Sequence, residues 1–142
     1  MSGLLLDTNV PLELTRTVSD AHVERWLDSA DDKQLFFSAI SLGEVRKGTA
    51  MLPWELGGEN WSNGSNKLCT RGSPGAILPV NDIIAERWGV LSAEQRLKGR
   101  PIGMADGLIA ATALEHELIV VTRNVKDIAS LGVVIFNPWE RR

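Results

Sequence analysis

The chain has a single cysteine, Cys69, no tyrosine, and only two histidines, His22 and His116. One thiol closes no internal disulfide and supplies no cysteine-rich zinc site. Two histidines leave a metal-free hydrolase built on a histidine pair poorly supplied. No apolar run approaches bilayer-spanning length and no charged leader precedes one, so a cytoplasmic protein with no membrane partner is expected. An excess of one charge is also missing: 15 Lys and Arg face 18 Asp and Glu, for a net charge of -3. That balance does not mark a nucleic-acid binder, but a basic groove can coexist with an acidic surface, and an acidic metal site itself lowers the total. What is present, 44% hydrophobic and 23% charged residues in a chain of 142, suits one ordinary globular domain with a real core.

The most informative stretch is Gly3-Leu4-Leu5-Leu6-Asp7-Thr8-Asn9-Val10-Pro11. A short apolar run ending in a carboxylate reads as a strand buried on both faces of a parallel sheet. Asp7 then stands at the carboxyl edge, where open α/β sheets bind ligands. Thr8 or Asn9 can cap a helix beginning near Val10-Pro11, where proline is tolerated in the first turn. Taken alone, Asp7 reads first as a turn or capping residue. Pro11 to Leu14 reads as a short helix, Ser19 as the N-cap of a helix over Asp20 to Ala30, and Leu35-Phe36-Phe37 as a second buried strand. Ser41 stands three residues before Glu44, the spacing of a capping box, which gives Glu44 a purely local reading.

Farther on, Ala76 to Val80 is strand-like, and Asn81 or Asp82 caps a long helix to about Leu97. Ile84, Trp88, Leu91 and Gln95 lie along one stripe of it, and Lys98-Gly99-Arg100 stops it. The helix from about Met104 to Glu115 is apolar almost all round, as expected between two layers. Leu118 to Val121 and Val133 to Phe136 supply the last strands, with a helical turn around Lys126 to Ser130 between them. Strands alternating with helices predict an α/β fold, three α/β/α layers around a central parallel sheet, as a single domain over 1–142.

Asp106 shares the ambiguity of Asp7. A carboxylate in a first helical turn is favoured by the macrodipole. Yet its neighbours Gly103, Ala105 and Gly107 are small and the rest of the helix is apolar, and a charge in such a place needs a partner or a cation. The glycines would also let a ligand approach the backbone closely. Thr122-Arg123-Asn124 follows a buried strand, repeating the strand-then-polar pattern of Asp7, and Asp127 comes three residues later. Gathered at one sheet edge, Asp7, Glu44 and Asp106 would repel one another and could not all stay ionised without a counter-ion. Hard oxygen donors suit Mg²⁺ or Mn²⁺. The matching chemistry is phosphodiester hydrolysis by a metal-activated water, with the cation stabilising the developing charge. A Rossmann-type nucleotide site is disfavoured, because no Gly-x-Gly-x-x-Gly turn follows the first strand.

LLLDTNV, SAISLGEVRKG, RPIGMADGLIAATALEHEL, IVVTRNVKD and VIFNPWE, in that order and spacing, resemble the PIN-domain ribonucleases. More narrowly the chain is similar to the VapC/FitB-type toxins of bacterial toxin–antitoxin pairs, over nearly its whole length except 54–75. The resemblance places the family's three acids on Asp7, Glu44 and Asp106, which would be the metal ligands, and its small hydroxyl residue on Thr122. The family's fourth acid falls on Asn124, a departure that would weaken a second metal, since an amide brings no charge; Asp127 is a candidate replacement. The resemblance further implies a Mg²⁺- or Mn²⁺-dependent endoribonuclease with an RNA substrate, a homodimer, and a cognate antitoxin protein that blocks the site. Arg46, Lys47, Arg100 and Arg123 become candidates for RNA backbone contacts, against the plainer reading of solvated surface charges. The alternative function is a non-catalytic RNA- or antitoxin-binding module with a degenerate site.

Residues 54–75 break the pattern. They are rich in glycine and asparagine, with neither helical nor alternating periodicity, and a loop of that length is unusual inside a compact domain. The resembling family has an amphipathic, Arg/Glu-rich helix there, ending in a Phe-Ala-Gly-like sequence. Permitted codons for 54–75, read in the neighbouring frame, can encode VGTRRRELEQWFEQTLHPWFAG before rejoining Ile77. The expectation is an out-of-frame reading, by sequence error or compensating indels, so Trp54, Trp61 and Cys69 carry no functional reading. The nucleotide sequence of the gene checks this: without such a frame, the stretch is a genuine loop.

Overall fold

Leu4, Leu5 and Leu6 form the central strand, β1, because an apolar triplet can be buried on both faces at once. The computed structural model describes residues 3–14, 18–51 and 77–140. In it β1 (Leu4–Leu6) lies between β2 (Leu35–Ser38) and β4 (Ile119–Val121), with β3 (Ile77–Leu78) and β5 (Ile135–Phe136) outside them. The described strands make a five-stranded sheet of order β3-β2-β1-β4-β5, every neighbouring pair parallel. Leu5 sits opposite Phe36 on one side and Val120 on the other; Leu6 sits opposite Phe37 and Val121.

Alternation along the strands builds the layers. Leu5 and Val120 point to one face, with Phe36, Leu78 and Ile135, and pack against Leu91, Ile109, Ala110 and Ala113. Those residues belong to the two long helices, α4 (Asp82–Leu97) and α5 (Met104–His116). Leu6, Leu35 and Val121 point to the other face, with Phe37 and Phe136, against Val10 and Leu27. Here the covering helices are α1 (Asn9–Leu14) and α2 (Ala21–Ser29). Ile40 of α3 (Ala39–Ala50) joins Ile84, Leu108 and Ala111 where α3, α4 and α5 meet. A short α6 (Val125–Ile128) follows β4. The three-layer α/β arrangement expected from the sequence is the one observed.

Several local expectations are corrected. Asp20, not Ser19, caps α2: its carboxylate accepts from the His22 N–H at 2.8 Å and the Val23 N–H at 3.2 Å, while the Ser19 hydroxyl donates to Glu24. Helix α3 starts at Ala39, and the Ser38 hydroxyl accepts from the Ile40 N–H at 3.1 Å. Ser41 is therefore inside the first turn, its buried hydroxyl without a partner among the described residues, and no capping box forms around Glu44. Asn81 does cap α4, accepting from the Ile84 N–H at 2.9 Å, and Gly99 ends it at φ 74°. Helix α5 runs one residue beyond Glu115, to His116, and Glu117 terminates it in the left-handed region at φ 54°. Gly107 serves packing: a Cβ there would lie 2.8 Å from Trp88 Cδ1, so its missing side chain lets α4 approach α5. The anomalous stretch 54–75, with Trp54, Trp61 and Cys69, lies outside the described residues.

Candidate active site

The strand order reverses between β1 and β4: from β1 the sheet grows through β2 to β3 on one side, and from β4 to β5 on the other. The carboxyl edge at such a switch point is where α/β sheets leave a crevice. Asp7 and Thr122 follow directly on β1 and β4 there. The Asp7 N–H still bonds to Val121 O at 2.9 Å, which holds its side chain against Thr122.

Asp7 is only 3% exposed. Its Oδ2 accepts from the Thr122 hydroxyl at 2.6 Å and from Asn9 Nδ2 at 3.4 Å, and its Oδ1 accepts from the Thr8 N–H at 2.7 Å. The Thr122 hydroxyl in turn accepts from Asn9 Nδ2 at 3.2 Å and from the Asn124 N–H at 3.0 Å. Asn9 Oδ1 accepts from the Arg123 N–H at 3.4 Å. Thus Asn9 does not use its side chain as a cap; it ties the start of α1 to the turn after β4. Thr8 likewise sends its hydroxyl across to Glu44, donating to Oε1 at 2.8 Å. That bond replaces the local role considered for Glu44 and draws α3 to the end of β1.

Burial pushes the Asp7 carboxyl above its ordinary 3.8; the bonds from Thr122 and Thr8 pull it back, and Glu44 adds repulsion. Asp106, in the first turn of α5, is also raised, first by burial and then by the charges of Asp7, Asp127 and Glu44. The four carboxylates that the sequence distributed over 120 positions of chain are therefore close enough to feel one another. Among the described residues no Lys or Arg offsets either raised carboxyl. Nor do three His, Cys, Asp or Glu side chains there converge into a ready chelate. Such a donor set fits Mg²⁺ or Mn²⁺ better than a fully caged ion, because Mg²⁺ is commonly held by one or two carboxylates, with water and substrate phosphate completing its shell.

The remaining candidates separate. Asn124 is exposed at the start of α6 and makes no side-chain cap bond. Asp127 is exposed too, but its charge reaches Asp106. Arg46, Lys47 and Arg100 are exposed, and Arg123, through its backbone, joins the Asn9 network. Sequence reasoning missed Glu13, a carboxylate only 4% exposed. It accepts from the Asp20 N–H at 2.9 Å and the Trp139 indole N–H at 3.2 Å. The available signal was a lone acid between Leu12 and Leu14 in a short apolar helix.

A parallel sheet with acids gathered at the β1/β4 edge is the arrangement of a PIN domain, and the chain belongs to that family, matching it over residues 4–132. Within it, the chain is similar to VapC and FitB toxins. It is 36% identical over 140 residues to the VapC ribonuclease Y4jK of Sinorhizobium fredii, covering 96% of this chain and 98% of that protein. It is 36% identical over 139 residues to toxin FitB of Neisseria gonorrhoeae, again covering 96% and 98%. The crystal structure of FitAcB from Neisseria gonorrhoeae superposes with a TM-score of 0.86 at 33% identity, over 97% of this chain and 99% of that one. A FitAB complex bound to an IR36 DNA fragment gives the same TM-score at 32% identity, over 98% and 97%.

Proposed function

We propose that the protein is a Mg²⁺- or Mn²⁺-dependent endoribonuclease toxin, held in check by a cognate antitoxin protein. The observation that carries this reading is the set of carboxylates at the carboxyl edge of the sheet, where Asp7, Glu44 and Asp127 each raise Asp106 and Glu44 raises Asp7, with no Lys or Arg among the described residues offsetting the two raised acids. Relatives named as ribonucleases and toxins, and neighbours solved as FitAB complexes, support the substrate class and the partner. A homodimer in the cytoplasm belongs to the same reading; no described helix is long and apolar enough to cross a membrane.

Asp7, Asp106 and Glu44 would hold the ion. When bound, the ion supplies charge for the developing phosphoryl oxygens and lowers the pKa of the attacking water. The protein groups act around it. Thr122 and Thr8 fix both oxygens of Asp7, so its ligand geometry is set before substrate arrives. Asn9 and the turn after β4 keep Thr122 in place. Asn124, exposed beside this turn, can orient a water molecule by its amide but adds no charge.

The test is cleavage of total RNA by the purified protein. Divalent metal should be required, EDTA should stop the reaction, and Asp7→Asn or Asp106→Asn should reduce it at least a hundredfold, roughly the loss of one strong electrostatic contact in a transition state. Cleavage that survives both substitutions, or runs fully in EDTA, sinks the nuclease reading. RNA binding without turnover in the unmodified chain would make it a binding module, with Asn124 in place of an acid as the defect.

A further inference from the structure

The C-terminal Asn137-Pro138-Trp139 turn lies beyond the end of β5, at the same sheet edge as Asp7. Trp139 is half-buried there and packs on the Leu6, Val10 and Val121 cluster. Its N–H donates to Asn137 Oδ1 at 2.9 Å, and its indole N–H donates to buried Glu13 at 3.2 Å. The ring is therefore fixed along its edge and on one face. A further contact is Arg123, whose guanidinium carbon stands 5.7 Å from the ring centroid. Arg123 is anchored at both ends: its backbone N–H bonds to Asn9, inside the Asp7 network, and its cation rests on the indole.

We infer that Glu13 and Trp139 are positioning residues that hold Arg123 as a fixed cationic contact for an RNA phosphate flanking the acidic site. This rests on the nuclease reading. The charge logic is direct: a sheet edge carrying Asp7, Glu44, Asp106 and Asp127 repels a polyanion, so a nearby cation is needed where the backbone enters. A freely moving arginine loses side-chain entropy on binding, whereas one already laid on an aromatic face loses less. The indole N–H bond to Glu13 keeps that face in register with the turn after β4. Glu13, which also accepts from the Asp20 N–H at 2.9 Å, thus acts at a distance through Trp139.

Steady-state cleavage of an end-labelled mixed-sequence oligoribonucleotide tests this. Arg123→Ala should raise KM about fivefold with little change in kcat, the loss of one charged phosphate contact. The slope of log KM against log salt should fall by about 0.7, the value for one phosphate on a single strand. Trp139→Ala should reproduce both effects, and Arg123→Ala with Trp139→Ala should be no worse than Arg123→Ala alone. Glu13→Gln, which keeps an acceptor for the indole, should stay near the unmodified KM, while Glu13→Ala should approach Trp139→Ala. Trp139→Phe keeps the ring without its N–H and serves as the folding control, with an intermediate KM. Trp139→Ala that loses kcat instead of KM, adds to Arg123→Ala, or leaves the salt slope unchanged overturns the inference while leaving the nuclease reading intact. No cleavage by the unmodified chain sinks both together.

Discussion

Asp106→Asn should make the protein more stable while removing its activity. Asp106 sits in a helix first turn, has no hydrogen-bond partner among the described residues, and is pushed up by burial and by Asp7, Asp127 and Glu44. Each like-charge neighbour at a partly exposed site costs a few tenths to about 1 kcal/mol. Losing the carboxylate also forfeits a favourable macrodipole interaction of about 0.3–1 kcal/mol. The balance is a gain of about 1 kcal/mol, or about 4 °C in Tm for a domain of this size. The sign follows from linkage: a raised folded-state pKa means that ionisation opposes folding. The penalty is absent below the ordinary value of 3.8, grows as pH rises from there to the raised folded-state value, and is complete above it. The stability gap between Asp106→Asn and the unmodified protein should therefore be present at pH 7 and close as pH falls toward 3.8. Thermal unfolding with and without Mg²⁺ completes the assay. The ion should stabilise the unmodified protein by about 2.7 kcal/mol at roughly a hundredfold excess over Kd, and the variant by less. A variant no more stable at pH 7, a gap that persists in acid, or an equal Mg²⁺ response in both proteins refutes the reasoning.

Thr122→Val removes the donor to Asp7 Oδ2 and the acceptor for Asn9 and the Asn124 N–H, so it should cost about 1–3 kcal/mol in denaturant unfolding. Because that bond lowers the Asp7 carboxyl, its loss should move the acid limb of the pH–rate profile to higher pH; an unmoved limb contradicts the role given to Thr122. Gly107→Ala places a Cβ 2.8 Å from Trp88 and should destabilise by about 1–3 kcal/mol, read as a fall in Tm. Glu117→Gly relieves a left-handed conformation at φ 54° and should add about 0.5–1 kcal/mol by the same measurement.

The fold was legible where one-dimensional pattern and burial coincide. The Leu4–Leu6 triplet, the Ile119–Val121 strand and the apolar α5 each announce burial on more than one face, and three such elements already demand a layered α/β domain. Boundaries were less legible, because competing caps stand side by side. Ser19 and Asp20 can both cap, and the carboxylate wins by accepting two N–H groups at once. Ser38 and Ser41 can both start α3, and the end of β2 decides between them. The acids of the site were visible as types at strand ends and helix starts. Their supports were not: Thr8, Asn9 and Glu13 all lie within seven residues of Asp7, yet their partners are Glu44, Thr122 and Trp139, at separations only the fold can set.

Asp7 and Asp106 divide the work of the site unequally. Asp7 is buried, held at both oxygens, and central to a network joining β1, α1 and the turn after β4. Moving it disturbs three elements, so it suits a ligand whose position never changes. Asp106 is more open and bonded to nothing described, on a helix otherwise locked by the Gly107–Trp88 contact. With no hydrogen bond to its carboxylate among the described residues, on the nuclease reading it would suit a ligand that adjusts its position. Glu44, on a longer and exposed side chain, is restrained among the described residues through Thr8. On the nuclease reading proposed above, the three would take different parts in holding one cation.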